Sequence, residues 1–592
     1  MKEKGVDVCL IPTSDFHDSE YVSDYFKVRE YFSAFTGSAG ELIVSMDEAW
    51  LYTDSRYFVQ AAMELSGSEI NLMKIGEKNV LNEDEFIIKR LEPGMTLGFD
   101  GRLISTRRGM NFLNNAGKKG ATIKDDFDPH EVMEDIPSME FNPVYILGKE
   151  YSGESVESKL NRIYEKMKER HTDVMVVSSL DEIAWITNLR GSDVECNPVF
   201  FSYLILAHNE AHLYANIEDR DVIFYLNNSG VYLYPYDDFF KEGLLRVNNW
   251  TSEGVWLDMS RTSYRIYSMI GKKLRVLNEP TAAYMMKMIK NPVEIENIHR
   301  ANIMDGVALV KFEKWLSDSV NVALEGKGQM PTEMEVSDKL YEFRRENPKL
   351  VDLSFDTIAA AGEHGAIVHY GSTEATNIPL KSGSFLLIDS GGQYKEGTTD
   401  ITRTYAIGIV DEKLKEDYTL VLRGMLKLLN LQFKYGARGT NLDTVVRAMF
   451  WEKGKDFGHS TGHGIGAFLN VHESPVIVNW LPGNGRPQFP FEPGMLTSDE
   501  PGLYIEGQYG IRIENDILCV DKYVNEYGRF LGFKAMTLCP IDTSCISFDD
   551  MNDEDISNLN GYHQLVYEEL SPYFEGELLD YLKRATAPIG MK

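Results

Sequence analysis

The hydrophobic pattern divides the chain into an N-terminal half of alternating strands and helices and a C-terminal part that opens on a long helix. Near the N-terminus, the apolar run VDVCLIP predicts a strand, and two apolar arms at 41–45 and 49–53 predict a β-hairpin. A helical pattern follows from Tyr57 to about Leu65. Strands that alternate with helices are typical of a layered α/β domain.

The same succession of elements recurs in the next part of the chain. A helix is predicted over 155–169, a strand over 173–178, a short helix around 181–185, and two hairpin arms over 200–206 and 212–216. The segments FTGS and LRGS precede the two hairpins in equivalent places. We interpret residues 1–148 and 149–289 as a duplicated α/β domain; the alternative is a chance similarity between two common α/β units.

A third domain is predicted over residues 290–592. Asn291, Pro292 and Glu294 supply the N-cap, the N1 proline and the N3 glutamate of a helix, and apolar residues follow at helical spacing. The segment from Ile556 to Ala585 predicts one or two further amphipathic helices. All the candidate chemistry described below lies in this third domain.

Two carboxylates mark a predicted hairpin inside the third domain. Phe385–Ile388 has the pattern of a buried strand and ends on Asp389, and Asp400 lies at the start of a second strand-like segment, 399–405. A hairpin would bring the two carboxylates side by side. Adjacent carboxylates repel, so either one is protonated or a metal lies between them. The alternative is that each aspartate caps a local turn.

Downstream segments provide residues that match such a metal. His463 lies in GHSTGHGIG, Glu500 in SDEPG and Glu514 in GIRIEN. Four carboxylates and one imidazole are the donors that two divalent cations about 3.5–4 Å apart require. Oxygen-rich ligation with one nitrogen suits Mn²⁺, with Co²⁺, Zn²⁺ or Mg²⁺ as alternatives.

These five segments, in this order and spacing, resemble the metal site of the metallopeptidase family with the pita-bread fold. The two α/β domains ahead of them resemble the long, three-domain form of aminopeptidase P within that family. The resemblance implies an α/β (α+β) fold in which two tandem creatinase-like domains precede a pita-bread domain. It also implies two Mn²⁺ ions per subunit, held by Asp389, Asp400, His463, Glu500 and Glu514.

The resemblance implies roles for other residues near the metals. Glu500 is expected both to bind metal and to take a proton, while His369 and His472 match two catalytic histidines that bind no metal. His459 is expected to line the substrate pocket beyond the scissile bond. Arg512 is expected at the substrate site with His459. It lies two residues before Glu514 and can hydrogen-bond a ligating carboxylate. The alternative for each histidine is a structural role, and the alternative for Arg512 is a surface ion pair.

Composition narrows the range of partners. Lys and Arg total 60 against 91 Asp and Glu, and the resulting net charge of −31 disfavours nucleic acid and anionic membranes. The five cysteines are sparse and unpatterned, and no apolar run has the length of a signal peptide or a membrane span. We therefore expect a cytoplasmic protein. The glycines of GHSTGHGIG do not form a phosphate loop, because no GK[ST] follows them.

The resemblance implies an Xaa-Pro aminopeptidase that uses a hydroxide between two metals to hydrolyse the bond before proline. It also implies a homodimer. Two alternatives remain: a prolidase specific for Xaa-Pro dipeptides, and a catalytically inactive pita-bread protein that serves as a binding module.

Overall fold

The computed structural model describes residues 1–271, 274–481 and 488–590. The backbone divides into two compact units, Met1–Lys287 and Met288–Lys592. Among the described residues, no helix has both the length and the apolar character needed to cross a membrane.

The N-terminal unit begins with a six-stranded sheet in the order β4-β3-β2-β1-β5-β6. All five residues of the central strand β1 are buried, as its apolar sequence predicts. The strands are β1 (Val8–Pro12), β2 (Glu41–Val44), β3 (Ala49–Thr53), β4 (Ile70–Lys74), β5 (Thr96–Gly98) and β6 (Thr122–Lys124). The helices are α1 (Val28–Ser33), α2 (Phe58–Glu64), α3 (Glu83–Arg90) and α4 (Thr106–Lys118).

A second six-stranded sheet follows in the same unit, in the order β12-β11-β10-β8-β13-β14. Its strands, with the short pair β7 and β9, are β7 (Tyr145–Ile146), β8 (Val174–Val177), β9 (Leu189–Arg190), β10 (Ser202–Ala207), β11 (Glu210–Ala215), β12 (Val231–Tyr234), β13 (Val255–Leu257) and β14 (Val276–Asn278). The helices are α5 (Lys149–Ser152), α6 (Val156–Glu169), α7 (Leu180–Thr187), α8 (Arg220–Asn228), α9 (Leu244–Trp250), α10 (Tyr264–Met269) and α11 (Ala282–Lys287).

The two sheets have the same topology. In each, the first strand pairs antiparallel with the hairpin and parallel with a later strand, and the second hairpin strand pairs parallel with the edge strand. Both hairpins predicted from the sequence are present. A shared topology is what a duplicated α/β unit predicts, and the duplication with its boundaries at 148 and 289 stays a prediction.

The C-terminal unit opens on α12, whose start is fixed by the predicted residues. The Asn291 side chain accepts from the backbone N–H groups of Val293 and Glu294, and the Glu294 carboxylate accepts from the Asn291 N–H. The helices of this unit are α12 (Pro292–Leu324), α13 (Glu333–Arg345), α14 (Glu412–Leu429), α15 (Gly439–Glu452), α16 (Asp553–Leu570) and α17 (Gly576–Ala585). The last two are the predicted C-terminal helices.

The sheets of this unit have the orders β15-β18-β19, β16-β17-β20, β21-β28-β27-β24-β22-β23 and β25-β26. Phe312 and Leu340, from α12 and α13, pack against Leu386 and Ile401 of the second sheet in one buried core. The strands are β15 (Leu350–Leu353), β16 (Ile358–Ala361), β17 (Ser384–Ser390), β18 (Gly392–Tyr394), β19 (Gly397–Thr398), β20 (Ile401–Ile407), β21 (Gln432–Lys434), β22 (Gly462–Gly464), β23 (Glu473–Val478), β24 (Leu496–Asp499), β25 (Gly502–Ile505), β26 (Tyr509–Arg512), β27 (Asn515–Asn525) and β28 (Gly528–Ala535).

The predicted hairpin with the two aspartates is correct in its strands and differs in its register. Strands β17 and β20 pair antiparallel, but Asp389 lies opposite Thr402, so Asp400 precedes the paired strand. Between them, β18 and β19 form a separate small hairpin. Gly391 permits this arrangement, because a Cβ at that position would approach the Thr399 carbonyl oxygen to 1.9 Å.

Candidate metal centre

The five predicted ligands lie at strand ends or beside strands of the C-terminal unit. Asp389 is near the end of β17 and Asp400 directly precedes β20, while His463 lies in the short strand β22. Glu500 directly follows β24, and Glu514 lies between β26 and β27. Strand ends fix the backbone while leaving one side of each residue open, so these side chains can face a common point.

Distances show which of the five lie together. One ligand atom each from Asp400, His463 and Glu514 forms a group in which all separations are within 4.8 Å. The Nε2 atom of His463 is 3.4 Å from Asp400 Oδ2 and 3.4 Å from Glu500 Oε1. Asp389 is close enough to Asp400 for the charge of Asp400 to raise its pKa. The structure therefore brings all five residues to one site.

The electrostatics of this site are unfavourable without a cation. Burial is the largest cause that raises the pKa of Asp389, Glu500 and Glu514, and the neighbouring carboxylates add to it. The Arg512 charge lowers the pKa of Asp389 and Glu500, and His463 lowers that of Glu500, without reversing the rise. Burial lowers the pKa of His463, but the hydrogen bond to Asp400 and the nearby carboxylate charges raise it more, to about 10. The carboxylates of the site therefore repel one another, and Arg512 and His463 offset part of that repulsion.

The donor set fits two divalent cations. It offers eight carboxylate oxygens and one imidazole nitrogen from four acids and one histidine, which is the hard, oxygen-rich ligation of paired hydrolytic metals. The buried Oδ1 atom of Asp389 has no hydrogen-bond partner among the residues that the structure describes. A bound cation would satisfy that oxygen and relieve the repulsion between the carboxylates.

A chain of hydrogen bonds links a metal-ligand candidate to the predicted substrate pocket. Arg512, which is 2% exposed, donates from Nη2 to Asp389 Oδ2 at 2.6 Å and from Nη1 to the Tyr504 hydroxyl at 2.6 Å. That hydroxyl lies 2.7 Å from His459 Nε2. Arg512 is therefore a buried partner of a carboxylate and not part of a surface ion pair. Sequence reasoning missed Tyr504, which stands in the same GLYIEGQYGIRIEN segment as Arg512.

Two hydroxyl residues that were also missed orient the acids. The Thr402 hydroxyl donates to Glu514 Oε2 at 2.7 Å. The Ser498 hydroxyl accepts from the backbone N–H of His463 at 2.9 Å and donates to Glu500 Oε1 at 3.2 Å. Such partners hold ligating side chains in one orientation. Each lies two residues from a predicted ligand, Ser498 before Glu500 and Thr402 after Asp400, and this spacing was the available signal.

The remaining predicted residues lie around this group. The rings of His463 and His472 are 4.2 Å apart in an edge-to-face arrangement, so His472 directly adjoins the centre. His369 is half-buried and follows Val368, whose carbonyl oxygen accepts from Arg512 at 3.4 Å. His459 lies between Phe457 and Tyr504, with ring centroids 5.1 and 5.4 Å away. The catalytic roles of these histidines stay predictions.

Comparison with known families covers nearly the whole chain. Residues 296–521 match metallopeptidase family M24, and residues 529–589 match its C-terminal region. Residues 1–125 and 135–294 each match a creatinase/prolidase N-terminal domain. The predicted combination of two creatinase-like domains and a pita-bread domain is confirmed.

Individual relatives agree over the full length. A probable Xaa-Pro aminopeptidase P from Laccaria bicolor is 35% identical over 100% of this chain and 92% of its own. The structure of an X-prolyl aminopeptidase from Caenorhabditis elegans, a cytosolic enzyme with a di-nuclear active site, has a TM-score of 0.93 and 32% identity over 99% and 95% of the two chains. An Xaa-Pro dipeptidase from Bacillus anthracis is 25% identical, with a TM-score of 0.52, and covers 66% of this chain and 99% of its own. The chain thus belongs to metallopeptidase family M24, among its Xaa-Pro aminopeptidases with paired creatinase-type N-terminal domains.

Proposed function

We propose that this metalloenzyme removes the N-terminal residue from peptides whose second residue is proline. The observation that carries the proposal is the convergence of four acids and His463 on one buried point, beside an aromatic pocket around His459. The full-length similarity to Xaa-Pro aminopeptidases favours this activity over a prolidase or an inactive binding protein.

Asp389, Asp400, His463, Glu500 and Glu514 are the residues that would hold two ions, with Mn²⁺ the expected metal and Co²⁺ or Zn²⁺ as alternatives. When bound, two such cations lower the pKa of water and polarise the substrate carbonyl. The surrounding hydroxyls of Thr402 and Ser498 keep the carboxylates in place while the charge at the site changes.

Glu500 is the proposed proton acceptor for the attacking water. Its Oε1 is oriented by the Ser498 hydroxyl, and its Oε2 lies 3.8 Å from His459 Nδ1. Burial raises the pKa of Glu500, and a raised pKa makes its carboxylate a stronger base. The same carboxyl group can then return the proton to the leaving proline nitrogen.

His472 and His369 are the proposed donors to the oxygen of the tetrahedral intermediate. A donor aimed at a developing oxyanion contributes about 2.7–4 kcal/mol to transition-state stabilisation. His459, with the rings of Phe457 and Tyr504, forms a wall of packed rings of the kind that suits a pyrrolidine ring. Arg512 supports this wall through Tyr504.

We expect the physiological substrates to be peptides with proline second, acted on in the cytoplasm by a homodimer. The cytosolic location rests on the C. elegans relative, and the dimer on the resemblance alone. Neither expectation affects the chemistry of the site.

A panel of three peptides tests the proposal: Xaa-Pro-Yaa, Xaa-Pro and Xaa-Ala-Yaa, assayed with Mn²⁺-loaded protein. We expect the highest kcat/KM for the first peptide, a lower value for the dipeptide and very slow cleavage of the third. A tenfold preference for the dipeptide, about 1.4 kcal/mol of transition-state energy, would make the enzyme a prolidase.

A further inference from the structure

Helix α15 carries a fully buried ion pair that faces the His459 segment. Asp443 is 0% and Arg447 1% exposed, and Arg447 Nε donates to Asp443 Oδ2 at 2.8 Å. These residues are one helical turn apart, so the helix backbone holds both in a fixed relation. A buried pair of this kind is costly to desolvate and contributes little net stability by itself.

The rest of the Arg447 guanidinium is bound by the segment that contains His459. Nη2 donates to the carbonyl oxygen of His459 at 2.6 Å, and Nη1 donates to the carbonyl oxygen of Phe457 at 2.7 Å and to Asp456 Oδ1 at 2.5 Å. The guanidinium carbon also lies 3.9 Å from the centre of the Phe457 ring. One side chain therefore fixes the backbone on both sides of Gly458 and the aromatic ring that adjoins His459.

Asp443 extends this contact toward the metal centre. The hydroxyl of Thr461 donates to Asp443 Oδ1, and the carbonyl oxygen of Thr461 accepts from the backbone N–H of Glu500 at 2.8 Å. Arg447 thus holds the His459 segment, and Asp443 holds Thr461, whose backbone contacts the proposed general base Glu500. None of these contacts involves the ligand atoms themselves.

We propose that Arg447 is a positioning residue for proline selectivity: it sets the position of His459 and Phe457 relative to the metal centre. The inference rests on the proposed function, because it assigns the His459 wall to the proline ring. The main-chain contacts explain why an arginine is required. The planar fork of guanidinium reaches two carbonyls and two carboxylates together, whereas a lysine ammonium is a single point charge on a flexible stem.

The test compares Arg447→Lys with Arg344→Lys. Arg344 is a matched control, since it is also fully buried, also on a helix of this unit, and pairs with Asp305 at 2.7 and 3.0 Å without contacting the His459 segment. The measurements are kcat and KM for Xaa-Pro-Yaa and Xaa-Ala-Yaa, metal content, and melting temperature. Thr461→Val serves as a second, milder variant on the same contact path.

For Arg447→Lys we expect the proline-to-alanine ratio of kcat/KM to fall at least tenfold, mainly through a higher KM for the proline peptide, at unchanged metal content. Thr461→Val should lower the ratio in the same direction, and Arg344→Lys should lose stability while keeping the ratio. An unchanged ratio in both Arg447→Lys and Thr461→Val would overturn the inference. Wild-type protein that shows no preference for proline would instead refute the proposed function.

Discussion

Replacing Arg512 with methionine tests whether the metal centre depends on the buried guanidinium of this residue. The substitution keeps an apolar stem of similar length but removes the guanidinium, whose shortest hydrogen bonds, both 2.6 Å, go to Asp389 Oδ2 and the Tyr504 hydroxyl. A longer bond of 3.1 Å from Nε to the Thr402 hydroxyl is lost as well. Both short bonds have the charged guanidinium as donor, and each accounts for about 1.5–3 kcal/mol. If both are needed in the transition state, their loss of about 3–6 kcal/mol lowers kcat/KM by a factor of about 150 to 2×10⁴.

The assay is kcat/KM for an Xaa-Pro-Yaa peptide at saturating Mn²⁺, with metal content measured on the same samples. Tyr504→Phe is the matched variant, because it removes only the hydroxyl that joins Arg512 to His459. We expect it to lose about 10- to 10²-fold in kcat/KM, short of the effect of Arg512→Met. Arg512→Met protein with full metal content and kcat/KM within threefold of wild type would refute this reasoning.

Three further predictions concern the ligands, the oxyanion donors and a buried acid. Asp400→Asn should bind at least one metal ion fewer, measured by mass spectrometry, and its kcat should fall by orders of magnitude. Normal metal content together with normal kcat would contradict the assignment of Asp400 as a metal ligand. His472→Ala should keep its metal while kcat falls by about 10²–10³, and loss of one metal equivalent would make His472 a ligand. Burial raises the pKa of Glu313 to about 8, so the folded protein keeps a proton that the unfolded chain releases at about pH 4.3, and stability falls as pH rises through this window. The melting temperature of Glu313→Gln minus that of wild type should therefore increase from pH 6 to pH 9. A difference that stays constant over this range would contradict the raised pKa of Glu313.

Local patterns predicted most of the elements because each depends on neighbours in sequence. The cap of α12 is set by Asn291 and Glu294, and the hairpins of both N-terminal sheets follow from two apolar arms and a polar turn. The register of β17 against β20 could not be predicted in this way. It depends on the inserted hairpin of β18 and β19, which pairs with the distant strand β15.

The candidate metal site was predictable to the extent that its residues form recognisable blocks. The residues that orient these side chains were harder to identify, because their partners are distant in sequence. Arg447 looks like an ordinary helix residue until α15 is placed against residues 456–461. Tyr504 could have been predicted from the pairing of β25 with β26. It lies opposite Gly510, which is two residues from Arg512 on the same face of the hairpin.

The number of metal ions per chain tests the central claim most directly. A chelator should remove the metal ions from wild-type protein and abolish its activity. After Mn²⁺ is added back, native mass spectrometry should show two ions per chain, and hydrolysis of Xaa-Pro-Yaa should recover as they bind. Full hydrolysis by the metal-free protein, or saturation at a single ion with complete activity, would contradict the two-metal account.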